Sequence, residues 1–430
     1  MAIYRRAAGS PRLLVALSMA LAACADPATV GTSATASDNS PTTSGAPALT
    51  PLATIPTAKG PHGIDVAGGL VFNANPSAGK MEVVDPDGNG GTGAILRTLD
   101  FTALLPGTAA ATVSASPSYT KADPGHNVVF ALDGARKALR IVSPTTQDQV
   151  GYIQMEGKPG SRLGWWNFRT ALLQQSGVPA NLFWVRWPEV AGVADFAAVP
   201  ATASFDLAPV ATGSAGGFIA VGKKYVAAPS GPDHAVVVSA LKDDGSGLEG
   251  DKRILQEGNE PGPIEMGLVD GKDRLMYGNK TSNTIVVYDP TTGTLIGKPT
   301  TLSTPTDSVL SADKTKAFVT CKGADRVAVV DLVSGQILQH VLVGRKLDDK
   351  PASPVHVYRV PSPVPGGPDQ IWVGGDGDAS VTVIDATTYK VMHVIQVGNG
   401  HHKMAFTDRR AFVSNIVDNT LSVIDRTQVK

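Results

Sequence analysis

The 430-residue sequence has only two cysteines, which excludes the class of small extracellular domains that disulfides hold together. Cys24 ends an N-terminal apolar segment, and Cys321 lies far along the chain. No CxxCH sequence occurs, so covalent c-type haem is excluded. Stability must therefore come from an apolar core, for which a chain of this length has enough residues.

Long apolar runs, basic clusters and common hydrolase motifs are also missing. After residue 23 no run reaches the roughly 18 apolar residues that a membrane-spanning helix requires. The formal charge is −1, and it becomes −4 when the three arginines before residue 23 are removed, which argues against a nucleic-acid partner. Neither HExxH nor a nucleophile elbow is present, so an enzyme is not the favoured interpretation.

Residues 1–23 are typical of a secretory signal peptide, because arginines precede the apolar run LLVALSMALAA. The segment LAAC at 21–24 resembles the bacterial lipobox. This resemblance implies cleavage before Cys24, lipidation of Cys24 and anchoring to a membrane through acyl chains. We expect an exported lipoprotein of the bacterial cell envelope, on the periplasmic face of the outer or inner membrane or at the cell surface.

The following segment, residues 24–50, is rich in Ser, Thr, Ala and Pro and has no Lys, Arg or aromatic residue. Such a composition cannot bury enough apolar surface to compensate for ordering the chain. We therefore interpret 24–50 as the lipidated cysteine with a disordered tether, and 51–430 as the folded domain.

Internal repeats determine the predicted fold. Each repeat is an apolar strand, a short polar loop and a second strand. The clearest copies, at 370–385 and 409–425, are QIWVGGDGDASVTVID and RRAFVSNIVDNTLSVID. Further copies lie at 274–289, 316–331, 70–85, 127–143 and 224–240, and the gap between 143 and 240 has room for a degenerate one. This spacing predicts an all-β chain forming a single β-propeller of eight four-stranded blades, seven clear and one degenerate.

Ring closure is predicted from the two ends of this domain. The last copy supplies three strands, and PLATIP at 51–56 aligns with the outer strands of other copies. The N-terminal strand should complete the last blade and thereby cover an otherwise exposed edge.

The segments FVSN, MYGN and FVTC, followed by NTLSVID, NTIVVYD and RVAVVD, resemble the YVTN family of propeller repeats. Cytochrome d1-like and lactonase-like propellers belong to the same broad group. The resemblance covers most of 51–430 and implies the fold. It does not imply one activity, since this scaffold hosts many.

Connectors that enter the innermost strands align by proline or glycine and place titratable residues near one mouth of the central channel. Imidazoles and carboxylates that converge from several strands are suited to a divalent metal such as zinc, copper or calcium, or to a small ligand. An alternative is that these side chains only hydrate a wet channel. The predicted metal or ligand residues are His62, Glu265, Asp307, His356, His401 and His402.

Adjacent residues on a strand point to opposite sides, so we expect one of His401 and His402 to face the axis, and we prefer His402. His340 and His393 are predicted on outer strands, His126 at the opposite mouth and His234 in a loop. Cys321 is predicted to be a small buried residue. The aspartates that end third strands are predicted to accept hydrogen bonds from turn amides; they are Asp85, Asp289, Asp331, Asp385 and Asp425.

Three functions follow from these predictions. The first is an anchored scaffold that binds a metal, a small ligand or a protein partner on its loops. The second is a metal-dependent lactonase or hydrolase in which His402, His356 and Glu265 hold the ion and Asp307 is the base. The third is a propeller that binds haem or quinone non-covalently, with His62, His356 or His402 as axial ligand.

Overall fold

A computed structural model describes most of the domain predicted from the repeats. The predicted signal peptide, Cys24 and the tether up to residue 47 lie outside the described residues, and so does His126. Within the described part of the chain, no helix is long and apolar enough to cross a membrane. The described residues are 48–102, 117–123, 127–167, 170–176, 182–188, 202–206, 218–230, 233–243, 247–345 and 350–429.

Eight sheets, each a blade of four antiparallel strands, form a β-propeller, which confirms the predicted fold and blade number. The first two strands of the chain, β1 (Ala48–Leu49) and β2 (Ala53–Pro56), belong to the last two blades. Blade one contains β3 (Gly63–Ala67), β4 (Leu70–Asn75), β5 (Lys80–Asp85) and β6 (Ala94–Asp100). Blade two contains β7 (Pro117–Asp123), β8 (Val128–Asp133), β9 (Ala138–Ser143) and β10 (Asp148–Gln154). Blade three contains β11 (Lys158–Asn167), β12 (Thr170–Ser176), β13 (Leu182–Arg186) and β14 (Thr202–Asp206). Blade four contains β15 (Ala220–Val221), β16 (Tyr225–Ser230), β17 (Ala235–Leu241) and β18 (Leu248–Leu255).

The second half of the ring has the same organisation. Blade five contains β19 (Pro261–Val269), β20 (Lys272–Asn279), β21 (Thr284–Asp289) and β22 (Thr294–Gly297). Blade six contains β23 (Pro305–Leu310), β24 (Lys316–Cys321), β25 (Arg326–Asp331) and β26 (Ile337–Leu342). Blade seven contains β27 (Pro354–Val360), β28 (Gln370–Gly375), β29 (Ser380–Asp385) and β30 (Val391–Gln396). Blade eight contains β31 (His401–Phe406), β32 (Arg410–Asn415), β33 (Thr420–Asp425) and β2. Short helical turns lie at Pro76–Ala78, Gly88–Gly91, Lys322–Ala324 and Arg426–Gln428.

The degenerate blade is blade three. Its third strand, β13, coincides with the segment NLFWVRW that the sequence assigned to it, and β14 overlaps the segment 203–210. The segment 193–200, assigned to the same blade, lies outside the described residues. Trp184 and Trp187 are buried, and Trp187 contacts Phe130 of blade two. Part of the tryptophan-rich region is therefore core.

Strand β2 closes the ring as predicted. It pairs antiparallel with β33 from Ala53 opposite Val423 to Pro56 opposite Thr420. Before it, β1 adds a fifth, parallel strand to the outer edge of blade seven, with Ala48 opposite Val394. Ala48 and Leu49, which the sequence placed in the tether, form this short strand.

The core lies between the faces of neighbouring blades. Middle strands are buried on both faces, so β29 and β33 read as nearly continuous apolar runs, as expected for strands covered on both sides. Outer strands such as β6 are mostly exposed. At the closure, Ile55 and Phe412 of blade eight pack with Val71 and Val84 of blade one. Each blade is thus stabilised by its two neighbours.

Aspartates that end the third strands accept hydrogen bonds from backbone amides of the next turn. The predicted structural role of these residues is therefore confirmed. The acceptors are Asp85, Asp289, Asp331, Asp385 and Asp425.

Replacing Ile55 with alanine tests the closure. The change removes buried methyl groups at the interface between the last and first blades, and we expect it to cost about 3 kcal/mol of stability. The apparent melting temperature and the urea midpoint would measure the loss. Thr54→Ala, on the exposed side of the same strand, is the control, and equal effects of the two substitutions would contradict the assigned role.

Candidate functional site

The innermost strands of several blades begin with the same irregularity. Just after the first residue the register with the second strand shifts, which is a β-bulge that turns the following side chains in a new direction. In blades two, five, six and seven that first residue is proline, whereas in blade eight it is His401. Asp307, His356 and Lys403 each lie two residues after the start of their strand, and the fold therefore places them at equivalent positions.

Three imidazoles from three blades lie together at this end of the channel. The ring of His402 lies 3.7 Å from that of His62, measured between centroids, with the planes tilted by 37°. The ring of His356 is 4.9 Å from that of His402 and nearly perpendicular to it. His62 is held by its backbone N–H, which donates to the carbonyl of Ala74 on β4.

Asp307 and Lys403 continue this cluster on the side of blade six. Nδ1 of His356 lies 3.2 Å from Oδ2 of Asp307 and 3.1 Å from Nζ of Lys403. Asp307 is only 4% exposed, and its carboxylate also accepts hydrogen bonds from the backbone N–H groups of Ser308 and Val357. Each carboxylate oxygen of Asp307 therefore already has a donor or an imidazole against it.

Glu265 extends the arrangement to a fifth blade, because its Oε1 accepts a hydrogen bond from the hydroxyl of Ser308, next to Asp307. We call the connected set His62, His402, Lys403, His356, Asp307 and Glu265 the inner arc. It runs continuously through blades one, eight, seven, six and five. The structure thus brings together every predicted site residue except His401, which lies behind the arc.

The inner arc borders a cavity of about 450 Å³ inside the ring. Glu265, Asp307 and Lys403 line it, together with Asp65 of blade one and Tyr358 and Arg359 of blade seven. The volume lies within the usual range of small-molecule sites. Asp65, Tyr358 and Arg359 were not singled out in the sequence, because nothing in their local pattern distinguishes them from other strand residues.

His401 is buried between blades seven and eight, with 1% of its surface exposed. Its ring occupies the space that a side chain at Gly374 would fill, since a Cβ built there would lie 1.7 Å from Cε1 of His401. Among the described residues, neither ring nitrogen of His401 has a hydrogen-bond partner. The distance between the ring centroids of His401 and His356 is 6.5 Å.

Burial keeps both adjacent histidines neutral. It lowers the pKa of His401 to about 3, and the charge of Lys403 acts in the same direction. Burial also lowers the pKa of His402 to about 2, with further contributions from His62, Lys403 and His401. Neither imidazole carries a proton charge near neutral pH.

Lys403 was not predicted from the sequence, although a signal was present. Aligning the inner strands on their first residues, Pro305, Pro354 and His401, places Asp307, His356 and Lys403 in one column. If the inner strands are aligned on the nearest proline or glycine instead, the strand of blade five is displaced by two residues relative to the others, and the shared column is lost.

In the described part of the chain, no group of three or more His, Cys, Asp or Glu side chains is arranged to hold a metal ion.

Residues for which the sequence favoured a structural role lie away from the inner arc. His340 and His393 are on the outer strands β26 and β30. His234 is in a loop, where its Nδ1 accepts a hydrogen bond from the backbone N–H of Glu260. Cys321 is buried, as predicted, and burial raises the pKa of its thiol to about 12, so it is an unreactive group.

Comparisons with known proteins support the fold alone. No family model and no curated protein matches the sequence. Solved structures do match. Sqt1 from Saccharomyces cerevisiae has 9% identity and a TM-score of 0.61, with 88% of this chain and 99% of that chain covered. BamB from Moraxella catarrhalis has 12% identity and a TM-score of 0.52, with 87% and 99% covered. The C-terminal WD40 domain of Sif2 has 12% identity and a TM-score of 0.60, with 87% and 97% covered.

The packing of His401 on Gly374 gives a direct test. Gly374→Ala should cost about 3 kcal/mol of stability, because the new methyl group overlaps the imidazole. His401→Ala in the same protein should recover most of that loss, since it removes the obstructing ring. Urea midpoints of the two single variants and the double variant would measure the coupling. Additive losses would contradict the described contact.

The lowered pKa values predict loss of stability in acid. Both histidines are neutral in the folded protein but titrate near 6.5 when unfolded. Their contribution to the free energy of unfolding is therefore fully present above pH 6.5, and it decreases as the pH falls toward 3. Each contributes a slope of about 1.4 kcal/mol per pH unit over this interval. His401→Met should reduce the fall in urea midpoint between pH 7 and pH 5. An unchanged fall would exclude this explanation.

Proposed function

We propose that the protein is an exported, lipid-anchored β-propeller that binds a small ligand carrying positive charge in its central cavity. The scaffold fold supports a binding role, since a closed ring holds side chains from distant parts of the chain in fixed positions. The charge preference comes from the residues that line the cavity. Membership of the YVTN-type family is part of this proposal and is supported by the repeat motifs alone.

The observation that carries the proposal is an excess of carboxylates facing the cavity. Asp65, Glu265 and Asp307 line it, whereas its lining cations in the described residues are Arg359 and Lys403. Arg359 is already paired, because its Nη1 lies 2.7 Å from Oδ2 of Asp369, which is not a lining residue. One lysine is therefore set against three acids.

Carboxylates removed from bulk water are costly unless a positive group or hydrogen-bond donors compensate them. Asp307 obtains this compensation from two backbone amides and from the His356 imidazole. Asp65 and Glu265 are half-buried and line the cavity, and they accept hydrogen bonds from the backbone N–H of Val66 and the hydroxyl of Ser308. An ammonium or guanidinium group in the cavity would be attracted by the negative charge of these carboxylates, whereas an anion would be repelled.

The geometry of Asp307 favours binding over hydrolysis. A general base needs an oxygen directed at a substrate or water, but both oxygens of Asp307 already contact protein groups. Its position therefore suits a fixed negative charge. The hydrolase and the haem or quinone alternatives have no comparable observation in their favour.

Calorimetric titration with putrescine, a small dication, tests the charge preference, and glutarate, a dianion of similar length, is the opposite probe. We expect putrescine to bind and Glu265→Gln to weaken it at least tenfold, or about 1.4 kcal/mol. Glu249→Gln, on the exposed outer strand β18, should leave the affinity unchanged. Binding of glutarate in preference to putrescine would refute the proposed ligand class.

Membrane anchoring is tested separately by Cys24→Ala. The unmodified cysteine is the acyl acceptor in our proposal, so the variant should lose incorporation of radiolabelled palmitate and move from the membrane fraction to the soluble fraction. Retention of the variant in the membrane fraction would show that another feature anchors the chain.

A further inference from the structure

Two of the carboxylates that line the cavity share a layer of the channel with an aromatic ring. Asp65, Glu265 and Tyr358 each pair with the residue three positions before the end of the second strand of their blade. Val309 of blade six and Ala405 of blade eight pair at the same place. The five residues therefore lie at one depth of the channel, and all of them line the cavity.

The ring of Tyr358 is held in position by the protein itself. Its hydroxyl accepts a hydrogen bond of 3.1 Å from the backbone N–H of Met404 in blade eight. The centroid of its ring lies 5.6 Å from that of Phe406, with the planes tilted by 58°, and Phe406 in turn packs edge-on against Trp372. On either side in the same layer are the shorter side chains of Val309 and Ala405. A ligand would therefore meet a half-buried ring whose orientation is already fixed.

The two carboxylates of this layer keep their charge. One oxygen of Asp65 accepts a hydrogen bond from the backbone N–H of Val66, and one oxygen of Glu265 accepts a hydrogen bond from the hydroxyl of Ser308. These neutral donors position the acids without adding positive charge. The face of an aromatic ring also attracts a cation, through its quadrupole. The layer thus combines two independent sources of attraction for positive charge.

The rest of the lining determines which cation fits best. A primary ammonium has three N–H donors and is strongly hydrated, so it needs acceptors in place of the water that it loses. Much of the wall is apolar and offers no acceptor side chain. A quaternary ammonium has no N–H donor, and its methyl groups pack on apolar and aromatic surfaces. The apolar lining residues are Ile64, Leu163, Ile219, Val309, Val357, Met404, Ala405 and Phe406.

We propose that Tyr358, Asp65 and Glu265 form a subsite for a quaternary ammonium group. The carboxylates attract its charge, while its methyl groups contact the Tyr358 ring and the apolar wall. The inference rests on the proposed function and deepens it, because it specifies the kind of cation that the cavity selects.

The test is a calorimetric titration of the full-length protein with butyltrimethylammonium and with butylammonium. The two probes have the same chain and the same charge and differ in three methyl groups. We expect the trimethylated probe to bind at least tenfold more tightly to the wild type. Equal affinities, or tighter binding of butylammonium, would overturn the inference.

Substitutions of Tyr358 separate the contribution of its ring from that of methyl burial in general. Tyr358→Leu keeps an apolar side chain but removes the ring, and should reduce the preference for the trimethylated probe to about threefold or less. Tyr358→Phe retains the ring and should retain the preference. Glu265→Gln should weaken both probes by a similar factor, because it removes charge alone. Tyr152→Leu, on the outer strand β10, is the matched control and should resemble the wild type.

Tyr358→Met is a second variant without the ring, for use if Tyr358→Leu does not fold by circular dichroism. An undiminished preference in a folded variant that lacks the ring would assign the selectivity elsewhere and refute the subsite. Preferential binding of glutarate over putrescine would instead count against the proposed ligand class. The subsite and the proposed function are therefore rejected by different probes.

Discussion

Pairing of Ala53–Pro56 with Thr420–Asp425 is the constraint on which the rest of the molecule depends. A propeller blade buries its faces only against its two neighbours, and an open ring would expose the faces of the first and last blades. Strand β2, from the start of the chain, completes the last blade. Its backbone hydrogen bonds and the packing of Ile55 join the two ends of the domain. The inner strands are then held around a common axis, and residues separated by 340 positions, such as His62 and His402, come into ring contact.

Much of the fold could be predicted from the sequence, because each blade repeats one physical pattern. Middle strands such as β29 are covered on both faces and read as apolar runs, while aspartates such as Asp385 mark their turns. Blade three was the hardest blade to predict from the sequence, since it lacks the repeated pattern of strand, polar loop and aspartate. The parallel strand β1 was not predictable, because two residues, Ala48 and Leu49, carry no periodicity.

The candidate site was less predictable than the ring. The positions of His62, His356 and Asp307 followed from aligned connectors, but the bulge that follows the first strand residue changes which side chain reaches the cavity. Lys403 was therefore missed although it lies beside His402. The burial of His401 depends on Gly374, a glycine 27 positions earlier in the neighbouring blade. Such a contact between two blades cannot be recognised from the local sequence around either residue.

The parallel strand at the edge of blade seven has a mechanical consequence. Tension applied to the chain ahead of Ala48 would reach the two-residue pairing of β1 with β30 before it reached the four-residue pairing of β2 with β33. The shorter pairing, that of β1, would break first and lengthen the free chain. Strand β2 would stay paired and keep the ring closed. Under the anchoring that we propose, a pull on the anchor would therefore break the pairing of β1 and leave the geometry of the inner arc unchanged.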